Sequence, residues 1–502
     1  MLFGRERICV VIAERTADAA LKALRQTLKN SRTAELRMDW LSSNAEIDRL
    51  IMRLQVDRKK ACVIATMRRR AAGGKYAGDV HDQMLWLRFA AECGCAWCDV
   101  EVESAERLDQ YGLDELRQVG AQVMISFHDF RGTPRDLQAV VRRLERCGGD
   151  AIKIAAHART IGDSVRVLST AQGKRDVVAV PMGEVGLPAR ILALRAGSAL
   201  AYAAADQATA PGQLSAGEMR GMYRAEKLDR RTSVYGVIGN PIAHSLSPLM
   251  HNAAFAARRV NAVLLPFLVT DLKDFLAAAP KFGVKGFAIT LPHKQAIIPH
   301  LDGCDPLAAK IGAVNTVVVR GGGKLYGYNT DYVGVLRALS SRVELKGSRV
   351  LLLGAGGAAR AAAFALVEAG ANVSIWARRD AQSAGLARDA NCESIARKKL
   401  KGEFFDATVN STPLGLRESD APPLRTDELN CRVVMDMIYR PMRTKLLKLA
   451  ERRGIETVSG AEMFIAQGIA QWEIWLGQHA PAEIMRRVTL AALKREEKRT
   501  GK

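Results

Sequence analysis

A short glycine-rich stretch carries the clearest chemical signal in the sequence. Gly354, Gly356 and Ala359 form the pattern G-x-G-x-x-A in LLLGAGGAARAAAF, after an apolar run and before an alanine-rich segment. Gly354 permits a tight turn, Gly356 lets the backbone approach a pyrophosphate, and Ala359 allows close packing of a helix on a strand. The free N–H groups at the start of that helix favour phosphate charge. The pattern therefore predicts a dinucleotide-binding βαβ unit.

Two arginines indicate which dinucleotide this unit takes. Arg378 and Arg379 follow its second strand, where an NAD-binding protein usually carries an acidic residue for the ribose 2′-hydroxyl. Two guanidinium groups suit a 2′-phosphate, so the sequence favours NADP. The alternative is a surface pair, since arginine is mostly exposed in proteins.

A lysine and a histidine in the first half have the types needed for carbonyl chemistry. Lys153 lies between two isoleucines in DAIKIAAHART, so strand alternation would direct it away from them and into a barrel. A desolvated amine there could attack a ketone. The alternative is a lysine paired with a carboxylate, which Asp99, Glu101 or Glu103 could provide. His128, in MISFHDF, is predicted to end the fifth strand and could take and return a proton near neutral pH.

The second half contains residues suited to acid–base work. Lys294 follows a strand-like segment in KGFAITLPHKQAII, and Asp331 precedes an apolar helical pattern in GYNTDYVGVL. A carboxylate can hold an ammonium ready to protonate a forming alkoxide, although a surface salt bridge is the commoner outcome. Ser245 and Ser247 precede another helix, where they could hold a carboxylate or Ser247 could cap the helix.

The elements that must position these residues change character near residue 220. Before it, eight short apolar segments, from 8–13 to 198–204, alternate with amphipathic stretches. This pattern predicts a (β/α)8 barrel, whose chemistry lies at the C-terminal ends of the strands. A polar, arginine- and glycine-rich stretch at 215–233 predicts a connector, and α/β elements follow it.

Composition sets wider limits. The 502 residues are 48% hydrophobic and 25% charged, which is typical of a multidomain globular protein. The sequence has no apolar run of the roughly 18 residues that suggest a membrane span, and no secretory signal is evident. Nine cysteines favour reduced thiols in the cytoplasm, and CGCAWC lacks the further ligands of a metal site. The net charge of +21 is dispersed, so we expect anionic small molecules rather than nucleic acid as partners.

The first half resembles type I 3-dehydroquinate dehydratase. The shared segments are TAELRMDWL, TMRRRAAGG, ISFHDF, AIKIA, MGEVGLPAR and TAPGQ. The resemblance implies that Lys153 forms a Schiff base with the C3 ketone of 3-dehydroquinate, while His128 removes a C2 proton and protonates the leaving C1 hydroxyl. It implies substrate contacts from Glu35, Arg37, Arg68, Arg190, Thr209 and Gln213. Ala72 stands where the family usually has a glutamate that orients the histidine, so another group must hold His128.

The second half, from residue 234 to about 495, resembles shikimate dehydrogenase. The shared segments include VIGNPIAHSLSPLMHNAAF, GAGGAAR, NSTPLG, DMIYRP and GAEMFIAQGIAQWEIW. The segments that contain Lys294 and Asp331 are shared as well. The resemblance implies that Lys294 and Asp331 are catalytic. It implies shikimate contacts from Ser245, Ser247, Thr290, Asn315, Tyr439 and Gln467. It also implies an NADP site lined by Gly354, Gly356, Gly357, Ala358, Arg378, Arg379, Asn410 and Met437. Ala288 replaces an asparagine that bacterial members often carry.

Together these resemblances predict a bifunctional chain similar to the fused plant enzyme. It would dehydrate 3-dehydroquinate to 3-dehydroshikimate and reduce that ketone with NADPH to shikimate. We predict a barrel at 1–220, a linker at 221–233, a shikimate-binding domain at 234–340, an NADP-binding Rossmann-type domain at 341–460 and C-terminal helices at 461–502. Two alternatives stay open: the second half acts on quinate, or the barrel is weakly active or non-catalytic.

Overall fold

The computed structural model describes residues 3, 6–108, 112–205 and 213–500 of the chain. Their contacts form two compact units. The first consists of Met1–Thr232 with Phe267–Gly283, and the second of Ser233–Pro266 with Val284–Lys502.

Eight parallel strands build the first unit, in the order β7-β6-β5-β4-β3-β2-β1-β8. They are β1 Ile8–Ile12, β2 Thr33–Arg37, β3 Cys62–Thr66, β4 Trp97–Glu101, β5 Gln122–Asp129, β6 Ala151–His157, β7 Val177–Met182 and β8 Ala201–Ala204. The first and last strands of this order, β7 and β8, approach each other. The backbone N of Ala199, just before β8, donates to the carbonyl oxygen of Val177 in β7 at 2.9 Å. The predicted barrel fold is confirmed.

Helices cover the outer face of this sheet. They are α1 Ala17–Asn30, α2 Asn44–Arg53, α3 Val80–Glu92, α4 Val102–Ala105, α5 Asp114–Gln118, α6 Leu137–Arg146, α7 Ile161–Ser169, α8 Leu187–Ile191 and α9 Ala193–Ala196. Local sequence explains where α7 begins, because Thr160 and Asp163 form a capping box at its start. Strand β6 is buried on both faces over six of its seven residues, as expected of a parallel strand between a core and a helix layer.

The stretch at 215–233, predicted as a connector, contains ordered turns. It contains a π-helical turn at Glu218–Met222 and a 3-10 turn at Ala225–Lys227. The side chains of Met219 and Tyr223 are buried, and Arg220 donates to Asn30 O and Ser31 Oγ, both at 2.9 Å. Residues 215–232 are therefore an ordered part of the first unit.

The first sheet of the second unit has the order β10-β9-β11-β13-β14-β12. Its strands are β9 Ser233–Gly239, β10 Ala262–Leu268, β11 Val284–Ile289, β12 Gly303–Cys304, β13 Thr316–Val319 and β14 Leu325–Tyr328. The helices along this part of the chain are α10 Ser247–Ala257, α11 Leu272–Phe282, α12 His293–Ala296, α13 Pro306–Ile311 and α14 Asp331–Leu339. Of these, α11 falls in the segment that belongs to the first unit. Strands β9 and β11 run parallel, whereas β13 is antiparallel to both β11 and β14.

The second sheet is parallel, with the order β17-β16-β15-β18-β19-β20. Its strands are β15 Arg349–Leu353, β16 Asn372–Trp376, β17 Glu393–Ser394, β18 Phe405–Asn410, β19 Cys431–Asp436 and β20 Glu456–Val458, with helices α15 Gly357–Glu368, α16 Asp380–Ala390 and α17 Lys445–Arg452. The strand order reverses between β15 and β18. In open parallel sheets a crevice for ligands forms at such a point, beyond the carboxyl ends of the strands.

Two long helices complete the second unit. Helix α18 spans Gly460–Leu476 and packs on α14, while α19 spans Ala482–Thr500 and packs on α10. These are the C-terminal helices predicted for residues 461–502. Among the described residues, no helix combines the length and apolar character needed to cross a membrane.

Candidate active sites

The barrel interior contains Lys153, which lies on β6 and is only 5% exposed. Its Nζ donates to Asp99 Oδ2 at 3.0 Å and to Glu35 Oε1 at 3.2 Å. It also lies 4.1 Å from the centre of the Tyr202 ring. Both sequence-based alternatives are therefore realised, because the lysine faces the interior and is also paired with carboxylates.

The carboxylates that hold Lys153 come from β2 and β4. Asp99 is one of the three carboxylates predicted as possible partners of Lys153, and it does pair with the lysine. The second partner is Glu35, which was expected to contact substrate. Glu101 instead accepts from Gln83 Nε2 at 2.7 Å and from the backbone N of Arg69. Glu103 lies beyond the strand in α4, where it pairs with Arg143. The strand alternation that would have placed Glu103 beside the others ends at residue 101.

His128 lies one residue before the end of β5, next to a cationic group. Arg68 NH1 lies 2.6 Å from His128 Nδ1 and also contacts Nε2. Burial, together with the charges of Arg68 and Lys153, holds the pKa of His128 well below its usual range. The imidazole is therefore neutral near pH 7 and has the protonation state of a general base.

Asp99 connects these groups. Its Oδ1 accepts from Arg68 NH2 at 2.8 Å and from Ser126 Oγ at 2.5 Å, and its Oδ2 accepts from Lys153. Burial alone would raise the pKa of Asp99, but the charges of Arg68 and Lys153 hold it below its usual range. The carboxylate therefore stays ionised between two cations.

The remaining predicted residues of the barrel are placed less centrally. Arg37 donates to both carboxylate oxygens of Asp39, at 2.8 and 2.9 Å. Arg190, in α8, donates to Gly183 O at 3.0 Å, and burial lowers its pKa to about 10. Gln213 is half-buried in the segment after β8, whereas Thr209 lies outside the described residues.

In the second unit, Lys294 and Asp331 are brought together as predicted. Lys294 Nζ donates to Asp331 Oδ2 at 2.5 Å. Asp331 is the first residue of α14, and Asn315 Nδ2 donates to its other oxygen at 2.8 Å. Both carboxylate oxygens are thus held, one by the lysine and one by a buried amide. The lysine side chain is 20% exposed, so it reaches solvent.

A cavity of about 550 Å³ opens beside this pair. It is lined by all six residues expected to contact shikimate, Ser245, Ser247, Thr290, Asn315, Tyr439 and Gln467, and by the two candidate catalytic residues Lys294 and Asp331. Ala358 and Met437, expected at the cofactor site, line the same cavity, as does Ala288. Tyr439 is half-buried and stacks on Phe464, with ring centres 4.5 Å apart.

Three details of this cavity differ from, or add to, what the sequence indicated. Ser247 does not cap its helix: it is the first residue of α10, and its backbone N donates to Ser245 Oγ at 3.3 Å. Asn315 lies one residue before β13. Gln471, which we did not predict, lines the cavity and donates to Thr316 Oγ1 at 3.2 Å. Its spacing of four residues from Gln467 could have identified it, because both then share one face of α18.

The glycine-rich turn has the geometry expected of a pyrophosphate cradle. Gly354 has φ +109°, and a Cβ there would lie 2.7 Å from Ser411 Oγ. Gly356 precedes the first turn of α15 without a side-chain cap, and a Cβ on Gly356 or Gly357 would meet no atom within 4 Å. The open space and the free N–H groups of a twelve-residue helix fit a phosphate.

The other expected cofactor residues surround this turn. Arg378 and Arg379 follow β16 and are exposed. Within the described part of the chain neither forms an ion pair, so both are available to an anion. Asn410 is different: its amide donates to Asp436 Oδ1 at 3.0 Å and its oxygen accepts from Thr412 Oγ1 at 2.7 Å. Its side chain therefore organises the loop at 411–415, a role that its type and position did not reveal.

Comparison with known protein families gives a match in each half of the chain. Residues 8–230 match the family model described as type I 3-dehydroquinase. Residues 237–317 match the shikimate dehydrogenase substrate binding domain, and residues 460–490 match the shikimate 5′-dehydrogenase C-terminal domain.

Individual relatives cover either the whole chain or its second half. A bifunctional 3-dehydroquinate dehydratase/shikimate dehydrogenase of Arabidopsis thaliana is 33% identical over 95% of this chain and 83% of its own length. An NADP(+) shikimate dehydrogenase of Symbiobacterium thermophilum is 40% identical over 52% of the chain and 94% of its own. A crystal structure of shikimate dehydrogenase from Aquifex aeolicus is 38% identical, covers 52% of this chain and 98% of its own, and has a TM-score of 0.49. The chain therefore belongs to the family of bifunctional 3-dehydroquinate dehydratase/shikimate dehydrogenases.

Proposed function

We propose that the chain catalyses two consecutive reactions of the shikimate pathway. The first unit dehydrates 3-dehydroquinate to 3-dehydroshikimate, and the second reduces 3-dehydroshikimate to shikimate with NADPH. The observation that carries this proposal is the presence in one chain of two lysine sites with different chemistry. One lysine is enclosed in the barrel beside a neutral histidine, and the other forms an acid–base pair beside an open cavity.

In the barrel, Lys153 would attack the C3 ketone of the substrate, and loss of water would give an iminium. The iminium withdraws electrons, so His128 could remove a C2 proton and then return it to the C1 hydroxyl as that group leaves as water. Hydrolysis of the imine regenerates the lysine, so the net change is the loss of one water. Glu35 and Asp99 lie within 3.2 Å of Nζ and stabilise the cationic forms of the lysine and of the iminium. Arg190 is suited to the substrate carboxylate, because a guanidinium can donate two hydrogen bonds to a carboxylate.

In the second unit, the Lys294 ammonium would donate a proton to the alkoxide that forms on the ketone carbon. Asp331 orients the ammonium, and Asn315 fixes Asp331 from the opposite side. The hydroxyls of Ser245 and Ser247 could hold the substrate carboxylate.

The residues present fit NADP. The turn at Gly354, Gly356 and Gly357 would hold the pyrophosphate, and Arg378 and Arg379 would hold the 2′-phosphate. When bound, the dinucleotide supplies the hydride for the ketone carbon. Met437 and Ala358 line the cavity that would receive its nicotinamide end.

We propose that the partners of the chain are these small molecules, and we expect neither nucleic acid nor a membrane among them. A cytoplasmic location is part of the proposal. It is supported by the nine cysteines, all within the described residues and all free.

A coupled assay tests the proposal. The protein is mixed with 3-dehydroquinate and NADPH, the nicotinamide absorbance is followed, and the product is identified by mass and retention time. We expect NADPH consumption only when both reactants are present, with shikimate as the product. Quinate and shikimate are then compared as substrates for NADP reduction. Accumulation of 3-dehydroshikimate would rule out the reductase role, whereas recovery of unchanged 3-dehydroquinate, with 3-dehydroshikimate still reduced, would mean that the barrel does not catalyse.

A further inference from the structure

A series of hydrogen-bonded polar side chains lies behind the Lys294–Asp331 pair of the second unit. Asp331 accepts from Asn315 Nδ2 at 2.8 Å. The oxygen of the same amide accepts from Thr316 Oγ1 at 2.8 Å, and Thr316 Oγ1 in turn accepts from Gln471 Nε2 at 3.2 Å. The lysine is therefore connected through this series to helix α18, which carries Gln471.

The orientation of the Asn315 amide is fixed from both ends. The backbone N of Thr330 donates to Asn315 Oδ1 at 2.7 Å, and a backbone N–H cannot accept, so the amide oxygen must lie on this side. The two protons on Nδ2 are then directed at Asp331 Oδ1 and at Thr330 Oγ1, the latter at 3.0 Å. Thr316 provides a second donor to the amide oxygen. The amide can therefore donate to Asp331 only while its oxygen is held by the groups behind it.

The hydroxyl of Thr316 has one proton, and its surroundings determine where that proton goes. Gln471 Nε2 can only donate to this hydroxyl, so the proton remains available to a neighbouring oxygen. Asn315 Oδ1 lies at 2.8 Å, whereas Thr330 Oγ1 lies farther away, at 3.3 Å. The Thr316 side chain is fully buried. It can therefore affect a reaction in the cavity only through the groups that it contacts.

We propose that Thr316, oriented by Gln471, is a positioning residue for the Lys294–Asp331 pair. It holds the Asn315 amide in the orientation that donates to Asp331, and Asp331 so held keeps the lysine ammonium aimed at the forming alkoxide. The kinetic part of this proposal rests on the reductase function proposed above. The effect of Thr316 on the Asn315 amide does not depend on that function.

The first test removes the hydroxyl without changing the size of the side chain. Thr316→Val should lower kcat for shikimate oxidation by about 3–10-fold, the factor that corresponds to one hydrogen bond. The KM values for shikimate and NADP should hardly change, because Thr316 has no exposed surface and its effect would lie in the transition state. Thr316→Ser keeps the hydroxyl and should restore most of the lost kcat.

The matched control is Thr489→Val. Thr489 is also fully buried in the second unit, but it donates to the backbone oxygen of Met485 within α19. Its substitution should leave kcat unchanged. A Thr316→Val protein with the wild-type kcat, a Thr316→Ser protein as slow as Thr316→Val, or an equal loss in the control would overturn the proposal.

A second variant tests the role of Gln471 and serves also if Thr316→Val does not fold. Gln471→Met removes the donor that orients the Thr316 hydroxyl, so it should lower kcat by a similar or smaller factor. In the double variant with Thr316→Val, the loss of kcat should be close to that of Thr316→Val alone, because both residues act through one series of bonds. Losses that multiply would mean that Gln471 does not act through Thr316, which contradicts the proposal.

A spectroscopic readout is independent of activity. In ligand-free protein with ¹⁵N-labelled asparagine, the side-chain N–H signals of Asn315 are identified by their loss in Asn315→Asp. Thr316→Val should shift and broaden these signals, whereas Thr316→Ser should leave them close to wild type. Unchanged signals in Thr316→Val would overturn the positioning role. If the signals respond but the wild-type protein does not oxidise shikimate, the positioning of Asn315 stands and the proposed reductase function fails.

Discussion

The chain places a lysine in each of its two candidate sites, and the two lysines have different surroundings. Lys153 is 5% exposed and lies between two buried carboxylates. Lys294 has a side chain that is 20% exposed, pairs with one carboxylate and borders a cavity of about 550 Å³. The first arrangement encloses the amine, whereas the second leaves it in contact with solvent.

The difference corresponds to the opposite tasks proposed for the two lysines. A lysine that forms an imine must lose a proton and then bear a positive charge as an iminium, so fixed carboxylates around it stabilise that state. A lysine that donates a proton must recover it in each cycle, so access to water is useful. The same residue type therefore serves as nucleophile or acid according to its enclosure.

The largest expected effect is on the barrel lysine. Lys153→Met should reduce dehydration below detection, because it removes the amine that is proposed to form the imine. It should leave shikimate oxidation within about twofold, since the substituted residue lies in the other unit. Borohydride treatment of wild-type protein with 3-dehydroquinate should add the ligand mass to the peptide containing Lys153. Lys174→Met is the control, since Lys174 pairs with Glu145 at the surface. An active Lys153→Met protein would contradict the Schiff-base role.

The reciprocal substitution should give a smaller loss. Lys294→Met should lower kcat for shikimate oxidation by about 10²–10⁴-fold, the usual contribution of a positioned acid or base. Dehydration should be unchanged. Lys285→Met, which removes an exposed lysine from β11, should leave both rates unchanged. If Lys294→Met silences both reactions in folded protein, the two sites are not independent.

Stability should also distinguish the two lysines. Lys153→Met leaves Glu35 and Asp99 buried and without their shared cation, which should cost roughly 3–5 kcal/mol in the free energy of unfolding. Lys294→Met should cost less, roughly 1.5–3 kcal/mol, because it removes one charged hydrogen bond beside an open cavity. Differential scanning calorimetry at pH 7 measures both as shifts of the unfolding midpoint. Equal shifts would mean that the burial of Lys153 between two carboxylates does not make it contribute more than Lys294 to the free energy of unfolding.

The smallest effect concerns the cofactor. Arg378→Ala should raise the Michaelis constant for NADPH by at least about tenfold, because a charge-assisted hydrogen bond to the 2′-phosphate contributes roughly 1.5–3 kcal/mol. The Michaelis constant for NADH should hardly change. Arg388→Ala, which removes an exposed arginine from α16, is the control. Equal losses with both cofactors would show that Arg378 does not recognise the 2′-phosphate.

The sequence predicted the parts of each site that depend on local pattern. Strand alternation directed Lys153 into the barrel, and the glycine spacing located the turn before α15, where Gly354 has the positive φ that a tight turn needs. The order of motifs placed Lys294 and Asp331 in one site. These features depend on neighbouring residues only, or on segments whose order matches a family.

The sequence did not reveal which side chains are hydrogen-bonded to, or buried against, other parts of the protein. Asn410 was expected to contact the cofactor, but its amide bonds to Asp436, which is 26 residues away. The stretch at 215–233 was expected to be a connector, and its polar composition did not show that Met219 and Tyr223 are buried. Hydrogen-bonding capacity and exposure belong to the assembled structure, because a polar side chain bonds to whichever group the fold brings within reach.

By itself, therefore, the sequence determined the barrel, the dinucleotide-binding unit and the residue types of both sites, because strand and helix periods and glycine turns are local properties. Only the tertiary structure decided how those residues are held. Lys153 meets Glu35 across 118 residues of sequence, and Arg68 meets His128 across 60. Such contacts have no local signature, since they arise when strands distant in sequence close around one interior and the buried charges there must pair with whatever partners that interior contains.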